Sequence, residues 1–273
     1  MVVFLFLSRE AEPMSVKVFF KRMGLEQRLQ PVHKKLDKKM FYDNAKLNRS
    51  EKRVIANVIE RIELTYLLTP SNINIQAFIN EEFYYEGVMY ITVQLRETVQ
   101  AKQISMIEKV IHGFLPNPVV LIFLFNDLLL VSTCVKRLNL VTLNSVVLEE
   151  IHQTPWIDIT DENENVNRFI EAISLKNVSF TNFYDFYKDI DMAIKAFQDI
   201  EVIGLYRVIK DKEKHSNLQS IIAEIKSLER EKNKVKAAIK KETQFNKKVD
   251  LNIELQKINN KIDELKTTLE EIR

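Results

Sequence analysis

Apolar residues recur with two different periods along this chain, and each change of period marks an element. Residues 15–23 (S-V-K-V-F-F-K-R-M) suit a short helix or strand, and 24–49 read as basic and irregular around Gly24 and Pro31. Val54, Ile55, Val58, Ile59 and Ile62 then form one stripe at helical spacing. Ser50 is the expected N-cap of that helix, and Thr69-Pro70-Ser71-Asn72 its stop. Alternation over Asn72–Phe78 and the β-branched and aromatic run Val88–Leu95 predict strands. Ile104, Ile107, Val110 and Ile111 predict a helix over 101–113 that ends near Gly113. Val119–Phe125 and Leu128–Val135 predict a hairpin turning at Asn126-Asp127, and their near-continuous apolarity suits central strands. Val141–Ile151 reads as a further strand and Asp161–Asn167 as a polar loop. Phe183, Phe186, Tyr187, Ile190, Ile194 and Phe197 return the period to helical, and 201–214 read as a linker or weak helix extension.

The tail carries the most regular pattern. Leu218, Ile221, Ile225, Leu228, Val235 and Ile239 alternate by three and four, with one break at Lys232. Leu251, Leu255, Ile258, Ile262, Leu265, Leu269 and Ile272 alternate without a break. The step from Ile239 to Leu251 does not keep that phase. Two matched arms flanking a phase break favour an antiparallel hairpin with its tip near Glu242–Val249 over a continuous helix with a slip. The expected fold is therefore α+β: a mixed sheet flanked by helices, with a C-terminal antiparallel coiled-coil hairpin. The expected divisions are a basic arm over 1–49, an α+β domain over 50–200 and the hairpin over 201–273.

Composition narrows the chemistry. The 273 residues include only four glycines, against about 7% in an average protein. Phosphate-cradling loops need glycines close together, so Walker A, G-x-G-x-x-G, kinase-type and G-x-S-x-G loops are absent. The single cysteine, Cys134, has no internal partner for a disulfide, which points to a reducing cytoplasm. The four scattered histidines offer no zinc spacing, and no metal or cofactor is expected. The apolar run Pro118–Val135 is broken by Asn126-Asp127, and Val2–Leu7 is too short for a signal segment, so no membrane span is expected. Met14 offers a second start, which would make residues 1–13 an extension. The net charge of +2 hides a polarity: 14–60 carry +7, 61–200 carry −8 and 201–273 carry +4.

Several segments together carry a family resemblance. They are K-K-L-D-K-K-M-F-Y (Lys34–Tyr42), E-K-R-V-I (Glu51–Ile55), L-L-T-P-S-N-I-N-I (Leu67–Ile75), the strand V-V-L-I-F-L-F, H-Q-T-P-W (His152–Trp156) and K-E-T-Q-F-N-K-K-V-D-L-N-I-E-L (Lys241–Leu255). Over about residues 34–273 the chain resembles the bacterial and archaeal domain of unknown function 4391. The resemblance implies genes beside SNF2-type helicases and DNA methyltransferases, in islands like restriction-modification or phage-defence systems. It implies no catalytic residues.

Two basic constellations stand out. In the arm, Lys34, Lys35, Lys38 and Lys39 lie beside Phe41 and Tyr42; the lysines suit phosphates and the rings suit base stacking, unless the rings instead anchor a solvated loop in the core. At the hairpin tip, Lys240, Lys241, Lys247 and Lys248 surround Phe245, which either meets a ligand or caps the helical core. The heptad residues Leu251, Leu255, Ile258, Ile262 and Leu265 are the candidate partner-binding set. The order helix, strands, helix, strand over 50–125 resembles restriction-endonuclease-like cores. Yet Val93-Gln94-Leu95-Arg96 lacks the expected carboxylate and lysine, leaving only Glu86 and Asp127 as weak substitutes. Glu149, Glu150 and His152 read as an exposed strand end rather than acid–base machinery. The expectation is a non-catalytic accessory subunit that contacts DNA, a helicase or methyltransferase partner, or both. The alternatives are a divergent or degenerate Mg²⁺-dependent nuclease and a purely structural coiled-coil homodimer.

Overall fold

The computed structural model describes residues 14–44, 47–96, 99–139, 146–204, 206–209 and 211–271, and these fall into two compact units, Met1–Gln198 and Asp199–Arg273. The expected features at Val2–Leu7 and at residues 141–145 lie outside the described residues.

The first unit opens with α1 (Met14–Met23), which buries Val16, Phe19, Phe20 and Met23 at helical spacing. Gly24 ends it in the left-handed region (φ +82°), where glycine carries no Cβ penalty. The described part of the segment read as irregular holds the edge strand β1 (Lys34–Leu36) and helix α2 (Lys38–Asn44). Next comes α3 (Arg49–Val58). Its N-cap is Asn48, not Ser50: the Asn48 side chain accepts from Glu51 N and Glu51 reaches back to Asn48 N. That capping box contributes about 1 kcal/mol.

The apolar stripe that predicts one long helix is shared between two elements. At Ile59 the chain passes straight from α3 into β2 (Ile59–Leu68). Ile59 and Ile62 are therefore strand residues, buried in the sheet rather than on a helix face. Likewise Asn72–Phe78 is not a strand. Pro70–Ile73 forms the short helix α4, closed by Asn74 at φ +59°. Phe78–Ile79 (β3) pairs with β4 (Tyr84–Tyr85) in a small ribbon, and Gln76 makes an isolated parallel bridge to Asn182.

The remaining elements are β5 (Val88–Leu95), α5 (Ala101–Phe114), β6 (Val119–Phe125), β7 (Leu128–Leu138), β8 (Val146–Gln153) and β9 (Ile157–Asp158), followed by α6 (Glu164–Ala172) and α7 (Phe183–Gln198). The main sheet runs β1-β2-β5-β6-β7-β8, with β9 on the end of β7. Only β5 and β6 are parallel, as their crossover through α5 requires. All other neighbours are antiparallel, so the sheet is mixed. Gly87 is dictated by a close approach, because a Cβ there would lie 2.3 Å from Leu68 O. The polar stretch Asp161–Asn167 is not a loop throughout: Asn163 caps α6, accepting from Asn165 N and Val166 N.

Side chains alternate across β7. Ser132 and Lys136 face the α5 side, and Thr133 faces α7. One core gathers Ile55, Val58, Ile91, Val93, Ile104, Ile107, Leu121 and Phe123 from α3, α5 and the sheet.

The second unit is a helical hairpin. After the short helix α8 (Ile200–Ile203), α9 (Lys212–Lys241) and α10 (Phe245–Glu271) are joined by three residues and pack antiparallel. Their shared core holds Leu218, Ile221, Ile222, Ile225 and Val235 against Ile258, Ile262, Leu265 and Leu269. A continuous helix with a phase slip is thereby excluded. Among the described residues, no helix is long and apolar enough to cross a membrane.

Candidate functional site

The hairpin tip exposes a large aromatic side chain together with four lysines. Glu242 ends α9, and its carboxylate accepts from Thr243 N (2.9 Å) and Gln244 N (2.8 Å). These backbone bonds hold it below the usual carboxylate range. The tip's one acidic side chain is thus engaged with the turn. Lys240 and Lys241 close α9, while Lys247 and Lys248 lie near the start of α10, and all four are exposed. Cations suit a helix C-terminus but oppose the dipole at an N-terminus, where each costs a few tenths of a kcal/mol or more. No acidic residue offsets them in the first turn of α10.

Phe245 does not cap the helical core. It is 79% exposed at the first position of α10. Val249 (41%) and Ile253 (49%) follow at steps of four, so an exposed apolar ridge runs from the tip along α10. Sequence periodicity overlooks this ridge because the heptad seam beside it is longer and more regular.

The seam residues proposed for partner binding are occupied differently. Ile258, Ile262 and Leu265 are buried in the hairpin's own core, and Leu251 and Leu255 pack against it. Docking a partner or forming a zipper through these side chains would require opening the hairpin.

The basic segment of the first unit is also partly committed to structure. Phe41 is fully buried and packs edge-on against Phe114 of α5, so it is an anchor and not a stacking platform. The side chain of Tyr42 lies outside the described residues. Lys38 Nζ donates to the Ala56 and Ile59 carbonyls at the C-terminal end of α3, and burial first, then Arg96, holds its pKa below the usual lysine value. Lys34, Lys35 and Lys39 remain exposed.

Inside the first unit, ionisable groups form clusters that the sequence does not announce. His152 Nδ1 lies 3.1 Å from Asp191 Oδ1, which also accepts from Thr133 Oγ1 at 2.7 Å. Burial lowers the His152 pKa, but the hydrogen bond and charge of Asp191 outweigh it and the net direction is upward. His152 is therefore a buried, paired residue rather than part of an exposed strand end; Glu150 stays exposed, with Oε2 3.4 Å from His152 Nε2. On the opposite face, Gln153, its amide oriented for the bond, donates to Glu108 Oε1 at 2.9 Å. Burial raises Glu108 to about 7, against the Ser132 hydroxyl. Lys136 is buried, donates to Leu115 O and Asn117 O at 2.7 Å each, and is pulled down to about 7 by desolvation. These pairings tie α5, α7 and the sheet together. Glu63 on β2 is buried too, 2.7 Å from His33 Nδ1 and paired with Arg61.

The two weak nuclease candidates both lie at the surface. Glu86 is exposed and accepts from Tyr84 OH at 2.6 Å, and Asp127 sits in the exposed β6–β7 turn. Gln94 and Arg96 direct their side chains to the Leu95 and Ile59 carbonyls. Among the described residues, no group of three or more His, Cys, Asp or Glu is placed to hold a metal ion. Cys134 is buried, and desolvation raises its thiol to about 12.

The family model for a domain of unknown function (DUF4391) matches residues 30–262. No curated protein and no solved structure matches the chain.

Proposed function

The chain belongs to the DUF4391 family, and from that premise we propose that it is a non-catalytic interaction subunit whose hairpin tip contacts DNA. The observation that carries the reading is Phe245, 79% exposed among four exposed lysines. A large aromatic in water and cations at a helix N-terminus both work against stability, and such departures mark functional surface. The lysines neutralise phosphates, and the ring offers a face for an unpaired base. Placement in a restriction-modification-like or phage-defence complex, beside a helicase or methyltransferase, rests on the sequence resemblance.

The test is DNA binding across a salt series. Reversing Lys240, Lys241, Lys247 and Lys248 to glutamate is expected to flatten the slope of log K against log salt by about 3 to 4 for duplex DNA. Phe245→Ala is expected to weaken single-strand binding by about 1–3 kcal/mol and leave the slope unchanged. Unaltered binding by the lysine variant would sink the proposal.

A second reading, a protein partner, is favoured by Val249 and Ile253, which continue the apolar ridge beyond the tip. Val249→Asp with Ile253→Asp is then expected to abolish capture of a neighbour-encoded helicase or methyltransferase while DNA binding persists. Capture that survives both substitutions excludes the ridge as the docking surface.

A further inference from the structure

A separate basic feature lies in the first unit, which is otherwise acidic through most of its length. A cleft of about 510 Å³ opens where the end of α1 meets α6 and the turn after it. Lys21, Arg22 and Arg28 line it from the N-terminal side, and Lys176 lines it from the turn. Glu171 is the one carboxylate in the lining, and no ion pair within 4 Å joins it to any of these cations among the described residues.

The two arginines are held before any ligand arrives. Arg22 donates from Nη2 to Asn167 Oδ1 at 2.7 Å and from Nη1 to Ile159 O at 3.3 Å. The Arg28 guanidinium lies over the Phe180 ring, 5.4 Å from its centroid. That stacking fixes the plane of the fork and leaves its N–H edges unbonded among the described residues. Lys21 and Lys176 likewise have no side-chain partner there. Segments about 145 residues apart in sequence thus converge several cations, two of them pre-oriented, on one concavity. Such convergence costs self-repulsion unless an anion is present to offset it.

We propose that this cleft is an anion site that takes a phosphate-bearing ligand. Its volume lies in the range of small-molecule sites, the planar fork of Arg28 matches the geometry of phosphate oxygens, and Arg22 adds a fixed positive charge beside it. The shared chemistry is a run of phosphate groups, carried either by a free polyphosphate or nucleotide or by a nucleic-acid backbone. The site is independent of the hairpin tip, and neither depends on the other.

Titration calorimetry on the full chain with inorganic tripolyphosphate, a nucleoside triphosphate and a short single-stranded oligonucleotide tests the proposal. Saturable binding of at least one probe is expected, weakened about tenfold or more by Lys21→Glu with Lys176→Glu, the loss of roughly one charge-assisted hydrogen bond. Lys21→Gln with Lys176→Gln is expected to give an intermediate loss. Lys240→Glu with Lys241→Glu at the tip is expected to leave binding of the two small probes unchanged. Tripolyphosphate or triphosphate binding with this pattern identifies a small-molecule site. Oligonucleotide binding alone, sensitive to the cleft variants, identifies a backbone contact. Absence of saturable binding by all three probes, or binding indifferent to both cleft variants, overturns the proposal.

Discussion

The two units place their charges in opposite ways. Among the described residues, the α+β unit buries Glu63, Glu108, His112, Lys136, His152 and Asp191, most with a hydrogen-bonded partner in another element. In the hairpin unit Asp199 is the one buried charged group among the described residues, and most of the lysines are exposed. Buried polar groups are costly unless satisfied, so each pairing helps fix which helix packs on which part of the sheet. The hairpin relies on one such pairing, at Asp199. Its apolar seam otherwise sets the packing of α9 on α10.

Breaking the best-connected buried cluster is expected to have the largest effect. Asp191→Ala strands His152 and Thr133 in the interior, and a loss of about 3–5 kcal/mol is expected by urea denaturation. A loss below about 1 kcal/mol would show that the interior charges do not organise this unit. The pH dependence sharpens the same point. With its folded pKa raised, protonated His152 stabilises fully below the unfolded value near 6.5, and that contribution disappears as pH climbs through the folded value. Asp191→Ala is expected to remove this dependence.

In the hairpin, Ile262→Ala is expected to cost about 2–4 kcal/mol, read as lost amide protection confined to α9 and α10. Equal loss of protection throughout the sheet would contradict two separate cores.

Glu108 gives a smaller, graded signature. Its folded pKa of about 7 lies above its ordinary 4.5, so the neutral acid is favoured in the fold. Stability is expected to fall as pH rises from 4.5 to 7, by at most about 1.4 kcal/mol per pH unit from this group. Glu108→Gln is expected to flatten the slope. An unchanged slope would remove Glu108 from the set of buried titrating groups.

The smallest effect is expected at the tip. Phe245→Ala, at a 79% exposed site, is expected to change stability by less than about 0.5 kcal/mol even where DNA binding suffers. A large loss of stability would return Phe245 to a structural role.

Elements with a clean, uninterrupted period were legible in the sequence. The β6–β7 hairpin, β5, α5 and the C-terminal hairpin all bury one regular face or run, so the pattern records the fold directly. The junction at Ile59 was not legible, because a helical stripe and a strand entering a two-sided core both demand apolar residues there, and no glycine or proline separates them. The start of α6 looked like a loop because its buried residues are few: Val166, Phe169 and Ile170 follow a capping Asn163 in a polar run. At the tip the lysines are plain in the sequence, but an exposed Phe245 and one folded inward share the same local pattern. The His152–Asp191 pairing joins positions 39 apart, and no spacing rule links a strand to a later helix.

The buried Asp199 bears on how this protein can be dissected. Its carboxylate takes Lys226 Nζ at 2.7 Å and Gln219 Nε2 at 3.0 Å, and Val202 and Ile203 pack onto the hairpin core just after it. Gly204 at φ +79° then turns the chain away from α8. A fragment cut at Lys212, where the long helix begins, discards this clasp. A fragment cut at Asp199 keeps it, and is the portable form in which the hairpin is expected to survive grafting onto an unrelated carrier.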